Sequence, residues 1–99
     1  MAEYAVERVG TDQINISGAL TFANIMRIKQ EVESSLANLS GAVSIDFAGV
    51  TKVDSSSLSL WLCILRLAEA LGLQLKPQNV PEEMSSIAGL VGLGQYLDC

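Results

Sequence analysis

The feature that most constrains the fold is a strand, a long apolar helix and a second strand in direct succession. The pattern predicts a strand at Ala42–Phe47, a helix at Ser55–Leu71 and a further strand at Leu73–Pro77. Gly72 stands where helices often end on a left-handed residue. Because a helix that joins two neighbouring strands normally makes a right-handed crossover between parallel strands, this segment predicts a parallel βαβ unit.

The first part of the chain predicts a hairpin followed by a helix. Tyr4–Val9 and the alternating run Gln13–Ser17 are short strands joined by the turn residues Gly10–Asp12. An amphipathic helix then begins within Thr21–Asn24 and ends before Gly41. Its apolar stripe steps by three or four residues: Ile25, Ile28, Val32, Leu36 and Leu39.

The remaining segments complete the predicted order. Ala48–Val53 is expected to be a loop, and Pro81 with Glu82 and Glu83 marks the start of a last helix that Gly92 ends. The predicted order is ββαβαβα, an α/β fold with a small mixed sheet of about four strands covered by helices. With 99 residues and no linker or repeat, we expect a single domain over residues 1–99.

Composition and charge narrow the classes of partner. The chain is 49% hydrophobic with a mean hydropathy of +0.37, which favours an apolar surface for another protein. A formal charge of −5 opposes contact with phosphate backbones or anionic lipid, so we expect neither nucleic-acid binding nor direct membrane insertion. The longest apolar stretch, Leu58–Leu65, is far shorter than a membrane span requires.

Enzyme chemistry is disfavoured because the chain has no histidine. That absence removes the commonest general base and the usual partner of nucleophilic serine or cysteine. We therefore expect a protein without a catalytic centre. Its location is indicated by two other features: the spacing of Cys63 and Cys99 does not suggest a disulfide framework, and Met1–Gly10 lacks the apolar core of a signal peptide. We expect a cytoplasmic protein.

The segment Asp54–Ser57 opens the central helix. Asp and Ser are preferred at helix N-termini because their oxygens accept hydrogen bonds from unpaired amides, so one interpretation is a simple cap. Four such residues in a row exceed what a cap needs, which leaves a docking site as the alternative. A phosphate on Ser56 would be favoured by the helix dipole and opposed by the charge of Asp54.

A helical projection of Ser55–Ala70 divides the helix into two sides. The side expected to face solvent carries apolar residues between a serine end and a charged end, as in a shallow protein contact with a polar rim. The alternative is that Leu62 and Cys63 are only partly buried. This side comprises Ser55, Ser59, Leu62, Cys63, Arg66 and Glu69.

Other candidate sites are weaker. Gly89, Gly92 and Gly94 do not follow a strand and reverse the order of a nucleotide-binding fingerprint, so a helix end is preferred. Asp46 and Asp54 lack a third ligand for magnesium. Trp61 is expected to fill the core. We therefore expect no metal and no cofactor.

At this point the sequence resembles a known family. A strand and loop followed by Asp54-Ser55-Ser56 and an apolar helix are similar to the signature of STAS domains, which occur in anti-sigma factor antagonists, sulfate transporters and MlaB-type subunits of phospholipid-transport ABC complexes. Gly18–Asn24 resembles the strand-to-helix connection of MlaB-type and transporter domains. The closing segment is similar to that of MlaB-type proteins, in the stretches Asn79–Glu82, Ala88–Leu93 and Tyr96–Leu97.

One departure from the family pattern helps to distinguish the antagonist branch of the family from the MlaB-type branch. Antagonists usually carry glycine where this chain has Ser57, and their phosphoacceptor corresponds to Ser56. In MlaB-type proteins the hydroxyl residue after the aspartate engages the ATPase, and that residue is Ser55 here.

Two functions follow from the resemblance. The first is a non-catalytic cytoplasmic subunit, peripheral to the inner membrane through its partner, that binds and regulates the ATPase of a phospholipid-transport ABC complex maintaining outer-membrane lipid asymmetry. The second is an anti-sigma factor antagonist that binds a kinase-like anti-sigma factor and is controlled by phosphorylation of Ser56. The residues expected to bind the partner are Asp54, Ser55, Ser56, Ser59, Leu62, Cys63 and Arg66.

Overall fold

A computed structural model describes residues 4–92 of the chain. The order of its elements confirms the predicted ββαβαβα succession. The elements are β1 (Tyr4–Val9), β2 (Gln13–Leu20), α1 (Ile25–Leu36), β3 (Ala42–Val53), α2 (Ser56–Leu71), β4 (Gln74–Gln78) and α3 (Glu82–Leu90).

The four strands form one mixed sheet in the order β1-β2-β3-β4. β1 and β2 make the antiparallel hairpin, with Val9 paired to Gln13 across a turn in which Gly10 has a φ of 65°. β2 pairs in parallel with β3, and β3 in parallel with β4, because a helix joins each of these pairs. The carboxyl ends of β2 and β3 therefore lie side by side.

One core joins the sheet to all three helices. Along β2 and β3 buried apolar residues alternate with more accessible polar ones, as expected for a sheet covered on one face. Trp61 of α2 is 1% exposed and meets Phe47 edge to face with ring centroids 5.8 Å apart, which confirms that it fills the core. The helices contribute the core residues Ile28, Val32, Leu36, Leu58, Leu60, Ile64, Ala68, Met84 and Ala88.

The predicted loop Ala48–Val53 is wrong, since β3 continues for twelve residues through Val53. The strand persists because β2 also extends beyond Ser17 to Leu20 and offers pairing partners to Gly49 and Val53. Glycine is common in loops, but Gly49 instead allows β3 to approach β2 closely. A Cβ at this position would lie 2.7 Å from the Cβ of Ser17.

Smaller differences concern element ends. α2 begins at Ser56 instead of Ser55, β4 is shifted by one residue from the predicted Leu73–Pro77, and α3 ends at Leu90 before Gly92. Gly72 has the predicted left-handed conformation, with a φ of 75°. Within residues 4–92, no helix combines the length and apolar character needed to cross a membrane.

Candidate functional site

The candidate site forms where the carboxyl ends of β2 and β3 each turn into a helix. Thr21–Asn24 leads from β2 into α1, and Asp54 with Ser55 leads from β3 into α2. Because these strands are parallel neighbours, the two turns lie together, and the Asp54 amide donates to the Leu20 carbonyl at 3.3 Å.

Asp54 holds the two turns in place. One carboxylate oxygen accepts the Ser56 amide at 2.9 Å and also the Ser56 hydroxyl, and the other accepts the Phe22 amide at 3.0 Å. Ser55 has a helical backbone and no capping bond from its own side chain, so Asp54 provides the cap. Asp54 therefore caps α2, as its residue type predicts.

The electrostatics of Asp54 follow from these contacts. Burial raises the pKa of Asp54, but hydrogen bonds from the Ser56 hydroxyl and from the Phe22 and Ser56 amides, with the charge of Lys52, outweigh burial. The resulting pKa lies below the ordinary value of 3.8, so the side chain is a carboxylate at neutral pH. This keeps it an acceptor for all three donors.

The serines divide into an inward and an outward pair. Ser57 is fully buried and its hydroxyl donates to the Asp54 carbonyl at 2.8 Å, while Ser56 is only 3% exposed and donates to the Asp54 carboxylate. Ser55 and Ser59 are exposed. The outward pair is therefore available to a partner without rearrangement, whereas the inward pair helps to build the helix start.

A groove of about 410 Å³ separates the amino-terminal halves of α1 and α2. We call it the helix groove. Phe22 and Met26 stand on its α1 side with 71% and 63% of their surface exposed, an unusual exposure for large apolar side chains. The groove is lined by Phe22, Ile25, Met26, Lys29, Ser56, Ser59, Leu60 and Cys63.

The groove continues towards the carboxyl-terminal half of α2, where charged residues appear. Lys29 and Cys63 line both parts, and Glu33 and Arg66 line the second part only. Lys29 pairs with Glu33 at 3.3 Å on the same helix. The exposed Arg66 makes no ion pair within residues 4–92.

The predicted partner residues are therefore mostly brought together. Ser56, Ser59 and Cys63 line the helix groove, Arg66 lies at its charged end, and Asp54 fixes its amino-terminal end. Ser55 is exposed at the start of α2. Leu62 is half-buried and lies outside the groove lining.

The α1 side of this surface was not among the partner-binding residues predicted from the sequence. Phe22 and Met26 are four residues apart, and neither belongs to the buried stripe that Ile28 and Val32 represent. Apolar residues at helical spacing outside the core stripe are the pattern that would have revealed them.

The described residues offer little support for a metal or nucleotide site. Asp46 accepts hydrogen bonds from the Ala48 amide at 2.8 Å and from Asn79 at 3.0 Å, and residues 4–92 contain no group of three His, Cys, Asp or Glu suited to a metal ion. Gly89 lies inside α3, Gly92 follows it with a φ of 77°, and Gly94 lies outside the described residues. The predicted closing residues Tyr96 and Leu97, and Cys99, also lie outside them.

Comparison with solved structures defines the fold. The chain superposes on the Bacillus cell-fate determinant SpoIIAA in its phosphorylated form with a TM-score of 0.70, 20% identity, and coverage of 95% of this chain and 87% of SpoIIAA. An anti-sigma factor antagonist from Mycobacterium paratuberculosis matches with a TM-score of 0.68, 18% identity, and coverage of 94% of this chain and 80% of its own. A sulfate transporter family protein from Wolinella succinogenes matches with a TM-score of 0.67, 13% identity, and coverage of 88% and 70%.

These matches establish the STAS fold. A family model described as "Mlab, STAS domain" matches residues 5–98. The chain therefore belongs to the Mlab-like STAS domain family. No curated protein sequence matches the chain significantly.

Proposed function

We propose that this chain is a non-catalytic cytoplasmic subunit that binds and regulates the ATPase of a phospholipid-transport ABC complex, and that the complex maintains outer-membrane lipid asymmetry. Its docking surface is the helix groove together with Ser55. The observation that carries the proposal is an exposed apolar groove beside hydroxyl groups, in a member of a family named after Mlab.

The chemistry of this surface suits protein binding. Phe22 and Met26 offer apolar area that becomes buried on contact, and Ser55 and Ser59 are small enough to let a partner helix approach closely. Regulation would follow if the bound subunit favours one conformation of the ATPase. The subunit itself then needs no reactive group, and it reaches the inner membrane through its partner.

Ser55→Glu tests the proposal. The exposed side chain lies directly before the first turn of α2, so a bulky carboxylate there should obstruct docking and leave the fold intact. Ser85→Glu is the matched control because it places the same charge on an exposed position of α3. With the purified transporter ATPase, we expect wild type and Ser85→Glu to bind alike and Ser55→Glu to bind about tenfold or more weakly.

Two results would count against this function. If wild-type protein neither binds the ATPase nor changes its rate of ATP hydrolysis, the proposed partner is wrong. If Ser55→Glu binds as tightly as Ser85→Glu, the docking surface is placed wrongly even though the partner is right.

An anti-sigma factor antagonist is the second candidate, favoured by the fold that the chain shares with such an antagonist and by the position of Ser56 in the lining of the helix groove. A phosphate on Ser56 would put about two negative charges against the Asp54 carboxylate and would separate the pair. Incubation with a kinase-like anti-sigma factor and ATP, read by mass spectrometry, tests this function. Phosphate on Ser56, absent in Ser56→Ala, would support it, and an unmodified protein would count against it.

A further inference from the structure

The helix groove changes character along its length. Its first part is apolar around Phe22 and Met26, and its second part is also mostly apolar but is bordered by the charged residues Glu33 and Arg66. Ser59 and Arg66 are seven residues apart on α2, which corresponds to two helical turns, or roughly 10 Å. A ligand that fills the whole groove must match an apolar end and a charged end at this separation.

The positive charge available to a partner at the second end of the groove belongs to Arg66. Lys29 is neutralised by Glu33 on its own helix, whereas Arg66 is exposed and makes no ion pair within residues 4–92. A guanidinium beside an apolar surface presents a planar set of donors that fits a carboxylate. Because Arg66 makes no ion pair within the described residues, its guanidinium is available to a carboxylate of a partner.

The walls of the groove also limit the conformation of the occupant. Apart from Phe22, which lies in the turn before α1, the wall residues belong to α1 and α2, where most backbone amides and carbonyls are paired within the helix. An extended segment in the groove would bury its own backbone groups without partners, whereas a helix pairs them within itself. The groove therefore favours a helix that lies along it.

We infer that the partner segment is an amphipathic helix whose apolar residues pack against Phe22, Met26 and Cys63, and whose Asp or Glu, about two turns along, pairs with Arg66. This inference rests on the proposed function and specifies which part of the ATPase docks. The carboxylate fixes the position of the helix along the groove, and the apolar contacts supply most of the affinity.

The test measures binding of the purified ATPase by calorimetry at low and high salt. Arg66→Glu reverses the charge at the end of the groove, and Lys76→Glu reverses an exposed charge on β4, away from the groove. We expect Arg66→Glu to weaken binding by about tenfold or more at low salt and less at high salt. We expect Lys76→Glu to change it by less than about twofold.

A charge exchange then identifies the partner residue. Changing single acidic residues of the ATPase to Arg should yield one variant that restores binding to Arg66→Glu, and hydrogen exchange should place that residue in a helix protected by the complex. The inference is overturned if wild type binds and Arg66→Glu binds equally well, or if the protected segment is extended or lacks an acidic residue.

Two further outcomes are informative. If wild-type protein self-associates and Arg66→Glu is monomeric, the groove holds a second copy and the inference is wrong. If the wild type does not bind the ATPase at all, the proposed function fails first. Urea unfolding of each variant checks that the fold is retained.

Discussion

The Asp54 carboxylate accepts a hydrogen bond from the backbone amide of Phe22, which lies 32 residues earlier in the chain, at 3.0 Å. The same side chain caps α2 through the Ser56 amide at 2.9 Å. One residue thus fixes both the exposed apolar side of the helix groove and its hydroxyl-rich side. Changes at Asp54 should therefore affect stability and partner binding together.

Removal of the Asp54 carboxylate should destabilise the protein. Asp54→Ala leaves the Phe22 and Ser56 amides without their acceptor, and we expect a loss of about 1 to 2 kcal/mol in the free energy of unfolding. Urea denaturation followed by circular dichroism measures it. Asp12→Ala, in the exposed β1–β2 turn, is the control and should stay within about 0.5 kcal/mol of wild type. Equal stabilities of the two variants would contradict the role of Asp54.

The stability contributed by Asp54 should depend on pH in a known direction. Because the folded protein holds the pKa of Asp54 below its ordinary value of 3.8, the unfolded chain takes up the proton first as the pH falls. This contribution is present above the unfolded pKa and is lost as the pH decreases through the folded pKa. Between pH 6 and about pH 3, the free energy of unfolding in urea should decrease less for Asp54→Asn than for wild type. Equal decreases for the two proteins would argue against a depressed pKa of Asp54.

The buried serine should matter more than its exposed neighbour. Ser57→Ala removes the hydroxyl that donates to the Asp54 carbonyl at 2.8 Å, so we expect a loss of about 1 kcal/mol. Ser59→Ala changes an exposed position and should alter stability by less than about 0.5 kcal/mol. Thermal unfolding of both variants gives the comparison, and a larger loss for Ser59→Ala would contradict the inward position of Ser57.

Two glycines should respond to alanine with opposite signs. Gly49→Ala places a Cβ at 2.7 Å from the Ser17 Cβ, so we expect a destabilisation of about 1 to 3 kcal/mol from overpacking. Gly89→Ala meets no atom within 4 Å in α3 and should stabilise the protein by about 0.5 to 1 kcal/mol. Chemical denaturation distinguishes them. A neutral Gly49→Ala would show that the strands can separate at little cost.

The exposed apolar residues should contribute to binding and hardly to folding. The double variant Phe22→Ser, Met26→Ser removes apolar side chains that are 71% and 63% exposed. The free energy of unfolding should therefore change by less than about 1 kcal/mol. Affinity for the ATPase should fall by about tenfold or more. The exposed pair Leu90→Ser and Val91→Ser near the end of α3 is the control. Equal affinity of the two double variants would place the contact elsewhere.

Much of the fold could be predicted because its determinants are local. The helices α1 and α2 follow from apolar spacing, and Gly72 has the left-handed conformation expected at a helix end. Ala48–Val53 could not be assigned correctly from the sequence, because its Gly49 is a residue type common in loops. Only the contact with Ser17 on the neighbouring strand explains why a glycine stands there. The strand there depends on a neighbour far away in sequence.

The sequence by itself determined the succession of strands and helices, the capping of α2 by Asp54 and the exposure of Ser55, Ser59 and Arg66, since each depends on spacing within a few residues. Only the tertiary structure decided that Phe22 and Met26 form the opposite wall of the surface that carries Ser59. The reason is that β2 and β3 pair in parallel, which places two distant turns at one edge of the sheet, and the local patterns that predict the hairpin of β1 and β2 and the βαβ unit of β3 and β4 do not specify this pairing.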